Sequence, residues 1–162
     1  MAETVHLYLK SNGTDINGQS TQTSLGRADS IECLYFEDSV RTAREKGSGL
    51  ATGRRTYEPI RILKRIDKSS PLLAKSLCAN EKIDGTFKFF RPNEETGETE
   101  HFFTVEIEKG RLAGIKRVSP NVIDPAAGSD PPTEEITFVF HTITWTFEDG
   151  GVTHTDRWDG EQ

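Results

Sequence analysis

The sequence has few of the residues and segments that most often reveal a protein's chemistry or location. Its 162 residues include two cysteines, Cys33 and Cys78, which form neither a Cys-x-x-Cys pair nor a disulfide framework. Since no apolar run approaches the roughly 20 residues that span a bilayer, we expect no membrane insertion. The N-terminus, residues 1–4, has neither the basic region nor the apolar core of a Sec signal peptide. We therefore expect a soluble cytoplasmic domain made without such a signal.

Catalytic motifs are also missing. There is no Gly-x-Ser-x-Gly motif, and Gly-Ser-Gly at residues 47–49 lacks the Lys that follows in a phosphate-binding loop. His154 and Asp156 would share one face of a strand and could hold a metal, but a polar edge strand explains them more simply. None of the four histidines has zinc-ligand spacing: His6, His101, His141 and His154. We predict that the protein is not an enzyme and uses no metal or cofactor.

The content of aromatic and charged residues limits the class of protein. Nine Phe and two Trp are too many for a disordered chain. The balance of 20 basic against 26 acidic residues gives a net charge of −6, which argues against a general nucleic-acid binder. The composition favours one globular domain covering residues 1–162.

Apolar and polar residues alternate along most of the chain, which predicts β-strands. In the run from Ile136 to Phe147 the apolar face changes from even to odd positions at His141–Thr142, which indicates a bulge or a strand that crosses between two sheets. The polar run 11–24 is expected to be a loop outside the core. The predicted strands are residues 5–10, 30–40 and 57–66, a hairpin joining 87–89 to 103–107 with an extension to 118, then 136–147 and 152–158.

The spacing of apolar residues changes from the two-residue repeat of a strand to a helical repeat only once, at residues 67–80. Ser70 is a candidate N-cap, because its hydroxyl could accept from the free N–H groups of a first helical turn, and Pro71 suits the first helical position. Leu73 and Leu77 would form the apolar stripe, with Cys78 on the same face. We therefore predict a mainly β fold: two packed antiparallel sheets forming a sandwich or partly closed barrel, with one short flanking α-helix at about 70–80.

Charge is concentrated in one segment. Residues 41–65 contain eight basic and two acidic residues, so this segment carries +6 and the rest of the chain carries −12. The acids concentrate at residues 94–108 and in the C-terminal stretch 134–161. Such a molecule attracts its own copies head to tail, which produces rings or open filaments. We interpret residues 41–56 as a protruding loop or ribbon.

Other interpretations of these residues remain open. The basic segment could be a solvated loop, or Arg54 and Arg55 could hold an anionic ligand such as RNA or a phosphosugar. Against the anionic ligand, residues 41–56 offer no aromatic stacking platform before Tyr57. Trp145 and Trp158 could form a platform for a sugar, although a strand tryptophan more often belongs to the core. A β-sandwich module that binds a sugar or an anion is therefore the alternative function.

Three sequence segments carry a resemblance to a known family. They are Ile66-Asp67-Lys68-Ser69-Ser70-Pro71-Leu72-Leu73, Asp29-Ser30-Ile31-Glu32-Cys33-Leu34, and Ile143-Thr144-Trp145-Thr146 followed by Gly150-Gly151 and Asp156-Arg157-Trp158. In this order and spacing, the chain resembles the haemolysin-coregulated protein (Hcp) family, the tube subunit of bacterial type VI secretion, over nearly its whole length.

The resemblance implies a homohexameric ring. Family rings stack into a tube that a contractile sheath expels from the cell behind a spike protein, and the lumen carries small effectors. The long loop reaches toward the next ring, which here implies a stacking role for Arg41, Arg44, Lys46, Arg54 and Arg55. Because the chain ends just past Trp158, we expect no C-terminal toxin extension. The expected location is cytoplasmic before firing and extracellular afterwards.

Overall fold

The computed structural model describes residues 3–126 and 128–158, and for residues 51, 52 and 54 it describes the backbone alone. In this part of the chain no helix is long and apolar enough to cross a membrane. A short 3-10 turn occupies Ser24–Gly26. The regular elements are β1 Thr4–Ser11, β2 Thr14–Ile16, β3 Ile31–Cys33, β4 Tyr35–Arg44, β5 Ala51–Arg65, α1 Ser70–Cys78, β6 Ile83–Pro92, β7 Thr99–Val118, β8 Thr133–Val139, β9 Thr142–Phe147 and β10 Val152–Arg157.

Every strand pairing in the described chain is antiparallel, and the strands form two layers. The first sheet contains β1, β2, β3, β6, the N-terminal half of β7, β9 and β10, and the second contains β4, β5, β8 and the C-terminal half of β7. The shared strand β7 makes them one hydrogen-bonded path, β2-β1-β6-β7-β8-β5-β4, which does not close into a barrel among the described strands. The prediction of a mainly β fold with one helix is confirmed.

Two strand segments cross between the layers. β7 changes sheet at Lys109–Gly110, where Lys109 has a φ of +54° and a Cβ on Gly110 would lie 2.5 Å from the carbonyl oxygen of Val139. β8 ends in the second sheet at Val139, and β9 begins in the first sheet at Thr142. The change of apolar face predicted at residues 141–142 therefore marks a crossing between sheets.

The core lies between the inner faces of the two sheets. Leu7 of β1, Phe87 of β6 and Phe138 of β8 are fully buried, and the rings of Phe87 and Phe138 are 5.9 Å apart. The prediction that residues 11–24 lie outside the core is wrong, because β2 pairs with β1 and buries Ile16 opposite Leu9. A single apolar residue in a polar run has no periodicity that would reveal it.

The predicted strand 30–40 is two strands. β3 buries Ile31 and Cys33 against β1, while β4 pairs with β5 in the other sheet. Leu34, between them, is exposed, whereas Phe36 packs against the core, with its ring 4.9 Å from that of Phe87. Ile31 and Phe36 would point to opposite faces of one continuous strand, but both reach the core because the chain changes sheet at Leu34.

The helix begins one residue earlier than the predicted cap implies. Ser69 is the N-cap, and Ser70 is the first helical residue, so the assignment of Ser70 as N-cap is wrong. Pro71 lies in the first turn, Leu73 is fully buried, and Leu77 packs against the core. Cys78 is exposed rather than on the apolar face.

Ser70 instead belongs to a buried polar cluster beneath the helix start. Its hydroxyl accepts from the backbone N–H of Asp67 at 3.0 Å and donates to Glu134 Oε1 at 2.5 Å. Fully buried Lys64 Nζ lies 2.5 Å from the same oxygen and 3.1 Å from Asp67 Oδ1, and Arg117 Nε donates to the other oxygen at 2.6 Å. This cluster of buried ion pairs and hydrogen bonds therefore holds the end of β5 and the start of α1 against β7 and β8.

Candidate assembly surfaces: a basic hairpin and an acidic cleft

Residues 41–56, here called the basic hairpin, are a β-ribbon rather than a loop. β4 and β5 pair from Tyr35↔Leu63 to Arg44↔Ala51, and residues 45–50 form the connecting turn. Every residue from 37 to 50 is exposed. Pro59 lies at an irregularity in the β4–β5 pairing, where its missing N–H breaks no ladder bond.

The cations of this segment differ in whether a carboxylate already neutralises them. Arg41 lies 3.3 Å from Glu58, and its side chain is 73% exposed. Near the tip, Arg44 and Lys46 have no ion-pair partner among the described residues. The side chain of Arg54 lies outside the described part of the chain. Among the described side chains of the hairpin, the cations without an ion-pair partner are therefore the two near the tip.

Arg55 is engaged within its own chain. Its Nε and Nη2 donate to the two carboxylate oxygens of Asp156 at 2.5 and 2.6 Å, and Tyr57 also donates to that carboxylate. These bonds, led by the one from Arg55, lower the pKa of Asp156 to about 2 against the opposing effect of burial. Burial and the bond to Asp156 raise the pKa of Tyr57 to about 12. With its side chain 20% exposed, Arg55 connects the hairpin to β10.

Aromatic rings surround this contact. Tyr57 is 5.3 Å from Phe140, 5.9 Å from Trp158 and 6.3 Å from Trp145, measured between ring centroids. One face of Trp145 stacks on His154, with centroids 6.0 Å apart. The base of the hairpin therefore packs against β9 and β10.

The alternative ligand sites overlap this cluster. Trp145 is partly buried and donates its Nε1–H to Asp38 at 3.0 Å, so it belongs to the packing and is not an open sugar platform. His154 stacks on Trp145, while Asp156 binds Arg55 and Tyr57. In the described residues no group of three or more His, Cys, Asp or Glu side chains could hold a metal.

The two acidic stretches of the sequence meet at the far end of the first sheet. The β6–β7 turn and the β9–β10 turn enclose an open cleft of about 640 Å³, here called the acidic cleft. Five carboxylates and one arginine line it, so its charge is strongly negative. The lining residues are Arg91, Asn93, Glu94, Glu95, Glu100, His101, Phe102, Glu148 and Asp149.

Hydrogen bonds stabilise the ionised form of one carboxylate in the cleft. Asn93 and Arg91 donate to Glu100 at 3.0 and 3.2 Å and lower the pKa of that carboxyl. Burial lowers the pKa of His101, whose Nε2 is 2.7 Å from Thr104 Oγ1, so this imidazole is neutral at pH 7. The side chain of Glu148 accepts from Thr104. The cleft can therefore attract a cationic surface.

Sequence reasoning identified the cations but missed their partners. The residues it missed are Asp156 and Glu134, which bind cations 101 and 70 residues away in sequence. Asp156 is noted in the sequence only as a possible metal partner of His154 and as part of the Asp156-Arg157-Trp158 segment, and neither signal points to Arg55. Nothing in the sequence around Glu134 distinguishes it from Glu135.

Comparisons with known proteins identify the family. The family described as "Type VI secretion system effector, Hcp" matches residues 8–147. The chain is 31% identical over 133 residues to the "Major exported protein" of Pseudomonas aeruginosa, covering 82% of this chain and 77% of that protein.

Solved structures agree with this result. A mutant of Hcp1 from E. coli EAEC 042 is 27% identical, with a TM-score of 0.82 over 97% of this chain and 99% of its own. The secreted protein Hcp3 from Pseudomonas aeruginosa shares the fold at 22% identity, with a TM-score of 0.76 over 97% of this chain and 99% of its own. The chain therefore belongs to the Hcp family of the type VI secretion system, whose proteins are secreted structural proteins and not enzymes.

Proposed function

We propose that this chain is the ring-forming subunit of the type VI inner tube. In this proposal the chain assembles as a hexamer in the cytoplasm, the rings stack head to tail, and the contractile sheath expels the stack behind the spike protein with small effectors in the lumen. The observation that carries the stacking proposal is the presence, on one chain, of a basic hairpin and a separate acidic cleft.

The two surfaces lie at different places on the subunit. The base of the hairpin reaches the first sheet through Asp156, which pairs with Ile143 near the start of β9. Glu148 in the cleft lies five residues farther along the chain, about 17 Å at 3.3 Å per residue. Complementary surfaces at separate places make a heterologous contact, which can propagate along a stack. We propose that the tip residues Arg44 and Lys46 contact the acidic cleft of the next ring.

Unpaired strand edges support closure of each ring. Among the described strands, β10 pairs with β9 alone and β4 pairs with β5 alone. Free edges expose unsatisfied N–H and C=O groups, and a neighbouring copy can satisfy them. Ring closure would thus use backbone pairing and stacking would use side-chain charge, so a substitution can affect one without the other.

A charge exchange tests the stacking proposal. Variant one carries Arg44→Glu and Lys46→Glu, variant two carries Glu94→Lys and Glu95→Lys, and variant three carries all four changes. We expect each protein to form particles of about six times 18.1 kDa. Variants one and two should not form tubes alone, whereas variant three should recover them, because both surfaces have exchanged sign. Sedimentation velocity and negative-stain electron microscopy measure both properties.

The control for this experiment is Lys75→Glu, on the exposed side of α1, which should leave tubes unchanged. Tubes of normal length from variant one would show that the hairpin does not contact the cleft. Monomers from the unaltered protein at micromolar concentration would contradict the ring itself.

A further inference from the structure

Arg27 is a buried cation without a carboxylate partner in the described chain. The residue is 3% exposed and makes none of the ion pairs found there. Its Nε and Nη2 donate to the backbone oxygen and hydroxyl of Ser24 at 2.9 and 2.6 Å, and Nη1 reaches Thr4 Oγ1 at 3.4 Å. A guanidinium has five N–H donors, so two remain beyond these three bonds.

Among the described residues no carboxylate lies within ion-pair distance of Arg27, whose guanidinium packs on an aromatic ring instead. Its guanidinium carbon lies 4.8 Å from the centroid of Phe90, and His6 packs edge-on against the same ring at 5.5 Å. Burial, followed by the charge of Arg27, lowers the pKa of His6 to about 4, so His6 is neutral at pH 7. Buried charges in proteins are normally paired, because an unpaired one is costly.

A small cavity lies beside this arginine. Its volume is about 70 Å³, and no carboxylate lines it. Arg27, two threonines and a glutamine side chain supply hydrogen-bond donors. The lining residues are Thr4, Gln22, Arg27, Phe90, Arg91, Pro92 and Thr99. We propose that this cavity binds one tetrahedral inorganic oxyanion, phosphate or sulfate, at Arg27.

Size and donor geometry select this class of ligand. The cavity volume of about 70 Å³ is a little over twice the roughly 30 Å³ that one water molecule takes in the liquid, a size that suits a small inorganic anion. The planar fork of a guanidinium matches two oxygens of an oxyanion better than it matches a spherical halide. The guanidinium of Arg91 lies 3.2 Å from Glu100 and 4.4 Å from the ring centroid of Phe102, in the acidic cleft, so Arg27 supplies the uncompensated charge of this cavity.

Equilibrium dialysis of the complete protein against radiolabelled inorganic phosphate tests the site. We expect one phosphate per chain, competition by sulfate, and no competition by chloride at the same ionic strength. Arg27→Gln should weaken phosphate binding at least tenfold. Arg111→Gln is the matched control and should bind phosphate like the unaltered protein, because Arg111 lies outside this cavity.

A second measurement keeps the proposal testable if Arg27→Gln does not fold. Crystals of the unaltered protein grown with selenate should show an anomalous peak in this cavity. Absence of bound phosphate at millimolar concentration, or equal binding by the unaltered protein and Arg27→Gln, would overturn the proposal. An anomalous peak elsewhere and none here would also overturn it. Neither result depends on ring formation.

Discussion

Asp156 joins two parts of the chain that are 101 residues apart. It accepts hydrogen bonds from both Arg55 and Tyr57, so a single carboxylate holds the base of the basic hairpin against β10. Two donors in fixed geometry stabilise the ionised form more than one donor does. The orientation of the hairpin therefore depends on a residue outside it.

Replacing Asp156 with asparagine should destabilise the protein in a pH-dependent way. The folded-state pKa is about 2 and the unfolded value is 3.8, so the stabilisation is complete above about pH 4 and is lost as the pH falls through 2. After allowance for solvent screening, we expect a loss of about 1–2 kcal/mol at pH 7. Urea unfolding at fixed protein concentration should show this difference shrinking between pH 5 and pH 2. Asp130→Asn, in an exposed loop, should show no such dependence, and a deficit constant over this range would contradict the prediction.

The buried cluster gives a second prediction at this scale. Although burial itself raises the pKa of Glu134, hydrogen bonds from Lys64 and Ser70 outweigh that effect, and the pKa lies below its usual value. Lys64→Met should cost about 3–5 kcal/mol, because it leaves a buried carboxylate short of one partner.

A double-mutant cycle separates pairing from packing. Lys64→Met with Glu134→Leu should cost less than the sum of the two single changes, with a coupling of roughly 2 kcal/mol measured by urea unfolding. If the two costs simply add, the lysine and the glutamate do not stabilise each other.

The sequence alone predicts which side chains of a strand face the core, but not which side chains from distant parts of the chain bind each other. Alternation placed Leu7 and Phe87 in the core because burial is a local property of a strand. The pairing of Arg55 with Asp156 depends on where two distant strands pass each other, and no local pattern carries that information. For this reason Arg55 was assigned to stacking although it is bound within the chain.

At the scale of elements, the crossing of β7 between sheets depends on Gly110. A side chain there would lie 2.5 Å from the backbone oxygen of Val139, and backbone on both sides of this contact is fixed by strand pairing. We expect Gly110→Ala to destabilise the protein by about 2 kcal/mol or more.

Gly53→Ala is the matched control in β5. Its Cβ would meet the Ala43 side chain at 3.8 Å, an ordinary contact, so we expect a change within about 0.5 kcal/mol. Thermal unfolding of both variants measures the difference. Equal melting temperatures would show that the crossing has room for a side chain.

Element boundaries were predictable where the apolar pattern changed and unpredictable where it did not. The change of face at His141–Thr142 marked the β8–β9 crossing. Between β3 and β4 the chain changes sheet at Leu34, which is itself apolar. The run of apolar residues is therefore not interrupted there, and the sequence predicts one strand where the structure has two. The predicted start of α1 differs from the observed start by one residue, because Ser69 and Ser70 are chemically equivalent as candidate N-caps.

At the scale of the whole molecule, the net charge of −6 conceals a strongly dipolar surface. Within the basic segment 41–65, Arg55, Arg61 and Lys64 bind carboxylates of the same chain, whereas the cations near the hairpin tip do not. The structure also gathers acids from two distant stretches into one cleft. Exposed charge contacts contribute roughly 0–1 kcal/mol each, so many weak contacts would have to act together in a stack of rings.

Stacking should therefore respond to salt much more strongly than ring closure does. The Debye length falls from about 10 Å at 0.1 M to about 3 Å at 1 M, which screens exposed charges but leaves backbone pairing and apolar contacts in place. We expect tubes at low salt and separate rings at about 1 M sodium chloride, followed by sedimentation velocity. Tubes that persist at 1 M salt, or rings that dissociate before the tubes do, would show that charge is not what holds successive rings together.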